Sequence, residues 1–253
     1  MREFFMSDHF EGKSVPDHLI EARKKGAQAS KEIHGVEPAG YLFAGLDAAK
    51  TTAFLLTSLA FILTLFPFPQ KHTMYLLALF AIGLLFYLVG RSALIGWGRL
   101  ERVHRVICEE RNEIKGNRDQ ERQELQELYR AKGFSGQLLD QVVEVLMADD
   151  DRLLEVMLQE ELGLTLESFD HPIKQSTGAG LGVIISFLIT CSGFFMFGFL
   201  GMLIAATLTV AIAAVFEAKS QRNDITRNLL WNIAVLLASL ELGYLISLLV
   251  QGE

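Results

Sequence analysis

Cysteine is almost missing from this chain: Cys108 and Cys191 are the two in 253 residues. One lies among charges and the other in an apolar run, so no disulfide framework is expected, and neither has metal-ligand spacing. No block of like charge occurs, and the formal charge of -7 speaks against a nucleic-acid partner. Residues 1–40 lack the apolar core of a signal peptide and carry scattered charges (Glu3, Asp8, Glu11, Arg23, Lys24, Lys25). Strict alternation of apolar and polar residues is lacking too, which removes a β-barrel. No Ser or Cys has a plausible His and acid partner nearby, and no nucleotide fingerprint is present. The chain is therefore read as a non-enzyme without a catalytic cofactor.

What is plentiful is apolar sequence. Apolar residues make up 51% of the chain and the mean hydropathy is +0.30, high for a water-soluble domain. The average conceals a segregation, with charges in the N-terminal stretch and the middle and long apolar runs on either side of the middle. A helix crossing hydrocarbon needs about 20 mostly apolar residues. Five stretches qualify: Tyr41–Leu65, Met74–Trp97, Gly178–Phe197, Phe199–Phe216 and Leu229–Val250. They are apolar on all sides, so they read as spans lying in a lipid bilayer. Pro67 and Pro69 turn the chain after the first span. Gly198 and Gly201 allow a tight turn after the third, and Glu217–Arg227 (EAKSQRNDITR) reads as a polar loop after the fourth.

The fold class is thus all-α, with five transmembrane helices and a helical domain inserted between the second and third. The divisions are 1–40 (an arm), 41–97 (spans one and two), 98–170 (an acidic helical domain) and 171–253 (spans three to five). Basic residues near the span ends set the orientation. Arg91, Arg99, Arg102, Arg105, Lys219, Arg222 and Arg227 fall on the side of the arm and the inserted domain, which places that side in the cytoplasm. Lys71 and the tail Gln251-Gly252-Glu253 fall on the other.

Within 98–170 a helix continues out of span two to about Lys115 and breaks at Gly116-Asn117. Asp119 can cap a helix over roughly 120–132, Ser135 one over Gly136–Met147, and Asp149 or Asp150 one over Asp151–Leu162. Leu125, Leu128, Tyr129, Leu138, Leu139, Val142, Val143, Leu146, Leu153, Leu154, Met157 and Leu158 recur at helical spacing and form the expected core. Glu110 and Glu113 share one helix face, Glu121 and Glu124 another, and Glu160 and Glu161 close the last helix beside Met157. Spacing alone fits a solvated acidic face as well as a cation site. Converging carboxylates would need a cation or raised pKa values, and carboxylate oxygens with a thioether suit divalent ions.

These motifs resemble those of the vacuolar iron transporter family. The match is carried by E-x-x-E-I at Glu110–Ile114, E-x-x-E-L at Glu121–Leu125, Tyr129, Gly133, and the run from Leu154 to Leu164 (LEVMLQEELGL). The resemblance implies metal ligation by Glu110, Glu113, Glu121, Glu124 and Glu161 with Met157 as a sulfur ligand. It also implies a homodimer that moves Fe2+ or Mn2+ out of the cytoplasm in exchange for protons. Asp47 is then the pathway carboxylate of span one, in a run that keeps the family's Asp but not its neighbouring Gly. Read from its position alone, Asp47 equally forms an interfacial pair with Lys50. In span two, Ala81–Tyr87 (AIGLLFY) keeps the family's Tyr but lacks its Glu and Met. The alternative function is a non-transporting membrane protein whose acidic domain senses metal or docks a partner. Glu101-x-x-His104 is half of a di-iron pattern with no second copy, which disfavours a ferritin-like oxidase. Glu241 is a further intramembrane candidate. Gly178, Gly180 and Gly182 read as helix-packing residues.

Overall fold

The computed structural model describes residues 14–30, 40–164 and 171–251, and among them every regular element is a helix. In chain order these are α1 (Val15–Ser30), α2 (Gly40–Thr64), α3 (Gln70–Gly116), α4 (Arg118–Ala131), α5 (Gly136–Met147), α6 (Asp150–Glu160), α7 (Pro172–Gln221) and α8 (Ile225–Gln251). Of residues 1–40, read as lacking a signal-peptide core, 1–13 and 31–39 lie outside the described residues, as do 165–170 and the tail Gly252-Glu253. The helices fall into two compact units. One contains α1, the end of α3 from Gly98, and α4–α6; the other contains α2, α3 up to Trp97, α7 and α8.

The apolar unit turns large hydrophobic side chains outward. Leu79, Phe86, Phe195 and Trp231 are 68%, 75%, 72% and 64% exposed. Such a surface is stable in hydrocarbon and costly in water. Among the described residues four helices are long and apolar enough to cross a membrane: α2, α3, α7 and α8. The third and fourth expected spans lie within α7, which is broken at Phe197–Gly198. Gly198 has φ 62 and ψ -148, a conformation essentially restricted to glycine. Beyond it the chain doubles back, so closely that a Cβ on Gly201 would stand 2.2 Å from the Gly193 carbonyl oxygen. The Gln70 amide donates to the carbonyls of Phe194 and Phe195 at 3.2 and 3.3 Å, giving partners to acceptors at the helix break.

The expected packing role of the glycines is borne out by backbone contact between α2 and α7. A Cβ on Gly182 would lie 2.0 Å from the Gly45 carbonyl oxygen, and one on Gly178 would lie 2.0 Å from that of Tyr41. Ser186 Oγ then donates across the seam to the Ala49 carbonyl at 2.9 Å. α8 joins through Leu236, which packs with Ala53, Ala206 and Val210. At the start of α7, His171 caps the helix with its own ring nitrogen, which accepts from Ile173 N at 3.3 Å, and Pro172 follows. The expected polar loop over Glu217–Arg227 is shorter than its composition suggested. α7 runs to Gln221, Arg222 adopts φ 55, and α8 starts at Ile225. Glu217 is therefore helical.

In the second unit the expected core forms. Leu125, Val143, Leu153, Met157 and Leu158 are fully buried, and Leu19 and Ala22 of α1 pack into the same cluster. Leu138 departs from the expectation: it is 56% exposed, because Leu139 and Val143 take the inward face of α5. Asp119 does not cap α4. Asn117 holds the N-cap position, and Asp119 sits inside the first turn, where its charge favours the helix dipole. Ser135 does occupy the N-cap of α5, without a side-chain bond. Asp149 caps α6 by accepting from Arg152 N at 2.8 Å.

Candidate metal centre

Glu110 and Glu113 project from the last turns of α3, Glu121 and Glu124 from α4, and Glu161 from the end of α6. The break at Asn117 redirects the chain after one E-x-x-E pair and before the next. Glu121 N donates back to the Asn117 carbonyl at 3.1 Å, setting the first turn of α4. On each helix the three-residue step keeps both carboxylates on one face. Glu121 and Glu124 are fully buried, and Glu161 and Glu110 are nearly so; Glu113 is half-buried.

The carboxyl groups feel one another. Burial pushes Glu121 up to about 9, helped by the negative charges of Glu110, Glu124 and Glu113. Burial also pushes Glu161 up to about 11, with Glu110, Glu124 and Glu121 repelling its charge and a hydrogen bond to Glu124 adding to the shift. A hydrogen bond between two carboxyl groups requires a proton between them, which the burial of this pair favours. Without a cation, then, the cluster stores protons. A divalent ion would supply the missing positive charge and take their place, so the donor set fits a hard or borderline cation.

The structure thus brings the five predicted glutamates into one electrostatic cluster. Met157 lies one turn before Glu161 and is fully buried in the adjoining apolar core. Glu160 points elsewhere and pairs with Lys132. His18 of α1 was not singled out by sequence reasoning. Its Nε2 stands 3.7 Å from Glu124 Oε1 and 3.7 Å from Glu161 Oε1. Lone histidines in an arm of mixed charge carry no spacing signal, and only the docking of α1 reveals this one.

Asp47 lies on α2 in the apolar unit, far along the sequence from these glutamates, and is exposed on the single chain. It does not form the interfacial pair with Lys50, whose Nζ instead meets Glu217 Oε2 of α7 at 2.7 Å. Glu241 is exposed on α8, and the Asn232 amide is spent on Asn228. Glu101 and His104 are exposed, with His104 Nε2 3.6 Å from Cys108 Sγ.

Long apolar helices mark a multi-pass membrane protein, and its other unit buries a multi-helix carboxylate cluster. The chain belongs to the VIT family, the vacuolar iron transporters, whose family model matches residues 98–247. That stretch takes in the whole run from Glu110 to Glu161; α1 and α2 lie outside it. No curated protein matches the chain at a significant level.

Proposed function

We propose that this chain transports a divalent cation, Fe2+ or Mn2+, out of the cytoplasm in exchange for protons. The observation that carries the reading is the burial of carboxylates from α3, α4 and α6 against one another, which pushes Glu121 and Glu161 toward the protonated form. An ion entering such a cluster must displace protons, so metal and proton compete for the same oxygens. Glu110, Glu113, Glu121, Glu124 and Glu161 are the ligands in this reading, with Met157 beside them. The two arms of α7 count as separate crossings, which makes five. In this reading the carboxylate unit faces the cytoplasm and the C-terminus the far side, supported by the basic residues from Arg91 to Arg105 and at Lys219, Arg222 and Arg227. Asp47 lines the path at the interface of a homodimer, and its exposure on the single chain supports that position.

Mn2+ uptake into proteoliposomes tests the reading. The pair Glu121→Gln and Glu124→Gln should abolish flux and binding together. Asp47→Ala should abolish flux and leave binding intact, and unaltered flux in Asp47→Ala would remove the path. One observation favours a second reading, in which the chain senses metal without moving it: Ala81–Tyr87 has neither Glu nor Met. Tight Mn2+ binding by the unsubstituted chain with no flux at all selects that reading.

A further inference from the structure

Helix α1 is capped at its own start and is fastened over the carboxylate cluster by two separate contacts with other helices. At its start, the Ser14 hydroxyl donates to Asp17 Oδ2 at 2.6 Å, and Asp17 N lies 3.4 Å from Ser14 Oγ, an N-terminal capping arrangement. Leu19 and Ala22 are buried in the core that α4, α5 and α6 share. Arg23 Nη2 donates to the carbonyl of Glu160 at 3.3 Å, a cation at the negative end of α6. The next residue after that carbonyl is Glu161. The fastening therefore delivers His18, five residues before Arg23 and next to the buried Leu19, to the carboxylates.

We propose that His18 is a ligand of the cation held by the glutamate cluster, so that α1 closes the site with an imidazole nitrogen. The inference rests on the reading of the cluster as a cation site. His18 Nε2, one oxygen of Glu124 and one of Glu161 all lie within 4.8 Å of one another. Ligand atoms about 2.0–2.2 Å from a common ion stand roughly 3–4 Å apart, so a small inward movement of three side chains completes the triad. Its two carboxylates come from α4 and from the end of α6, and the imidazole is the one nitrogen donor in the group. Nitrogen changes what the site prefers. Carboxylates alone hold Mg2+, Ca2+ and Mn2+, whereas imidazole adds affinity for Fe2+, Co2+ and Zn2+. His18 thereby biases the site toward first-row transition ions and away from the more abundant hard cations. The VIT family match begins at residue 98, so this ligand comes from outside the matched stretch.

The test uses the full chain in detergent, loaded with one equivalent of Mn2+ and studied by pulsed electron paramagnetic resonance. A nitrogen hyperfine coupling from imidazole should be present in the unsubstituted protein and absent from His18→Gln with Mn2+ still bound. Isotopic labelling of histidine nitrogen in the unsubstituted chain should change the same coupling, a readout that needs no variant to fold. By titration, His18→Gln should weaken Co2+ binding roughly tenfold or more and Ca2+ binding less than about twofold. Bound Mn2+ without a nitrogen coupling overturns the role of His18 and leaves the cluster standing, as does a coupling that survives in His18→Gln. Equal Mn2+ binding by the Glu121→Gln, Glu124→Gln variant overturns the cluster and the ligand together.

Discussion

In the unit built by α1, the end of α3 and α4–α6, four glutamates are almost wholly buried beside one another, whereas in the apolar unit Lys50 and Glu217 meet at 2.7 Å as a matched pair. Both arrangements take charge out of water. The pair is electrically complete as it stands, and its two half-buried partners need nothing further. The cluster is incomplete, because like charges in a desolvated space must take up protons or a cation. The difference separates charge that holds a structure together from charge kept ready for a ligand.

The largest effect should come from dismantling the cluster. Replacing Glu121 and Glu124 together by Gln should lower Mn2+ affinity about 100-fold or more, read by calorimetry on the full chain, because two charged ligands are lost at once. Affinity within tenfold of the unsubstituted chain would erase the contrast between the two units. The same site predicts a pH dependence of stability. Glu121 titrates near 4.5 when unfolded and near 9 when folded, so its stabilising contribution is complete below about 4.5 and is lost as pH rises toward 9. At pH 7 the loss amounts to about 3 kcal/mol for this group. Metal-free Glu121→Gln should therefore be more stable than its parent at pH 7 by up to about 3 kcal/mol and equal to it near pH 4. Thermal unfolding at the two pH values checks this, and a difference that persists at pH 4 contradicts it.

The complete pair should respond in the opposite way. Lys50→Ala leaves Glu217 without its cation, and the loss should be about 2 kcal/mol, less than for a fully buried pair. Adding Glu217→Gln should recover most of it, and Mn2+ binding should be unchanged throughout. The smallest effect sharpens the boundary of the core. Leu138→Ala should cost under about 0.5 kcal/mol while Leu139→Ala costs at least about 2 kcal/mol, measured by denaturation of the detergent-solubilised chain.

Much of this contrast was legible beforehand. The long apolar runs located α2, α3, α7 and α8, because hydropathy is a local signal; the two E-x-x-E steps showed which carboxylates share a helix face, and the family resemblance, not their spacing, joined them with Glu161 into one cluster. What escaped was settled by tertiary contact. Leu138 has the right spacing for the core, but Leu139 and Val143 fill the inward face. Glu217 and Lys50 are far apart in sequence, so the pair they make could not be read from either neighbourhood, and a polar composition alone suggested a loop where α7 continues. His18 stands on a helix whose apolar residues are few, and its proximity to Glu124 and Glu161 depends on Leu19, Ala22 and Arg23 finding surfaces that other helices provide.

That dependence has a consequence for biosynthesis. α1 leaves the ribosome before α2–α6, yet the surface that receives Leu19 and Ala22 is finished only when α6 has been made, after α2 and the apolar part of α3 have been synthesised. At the usual pace of translation the interval is on the order of ten seconds. During that time the surface that receives α1 is incomplete, and maturation of this unit follows, rather than precedes, the synthesis of α2 and the apolar part of α3.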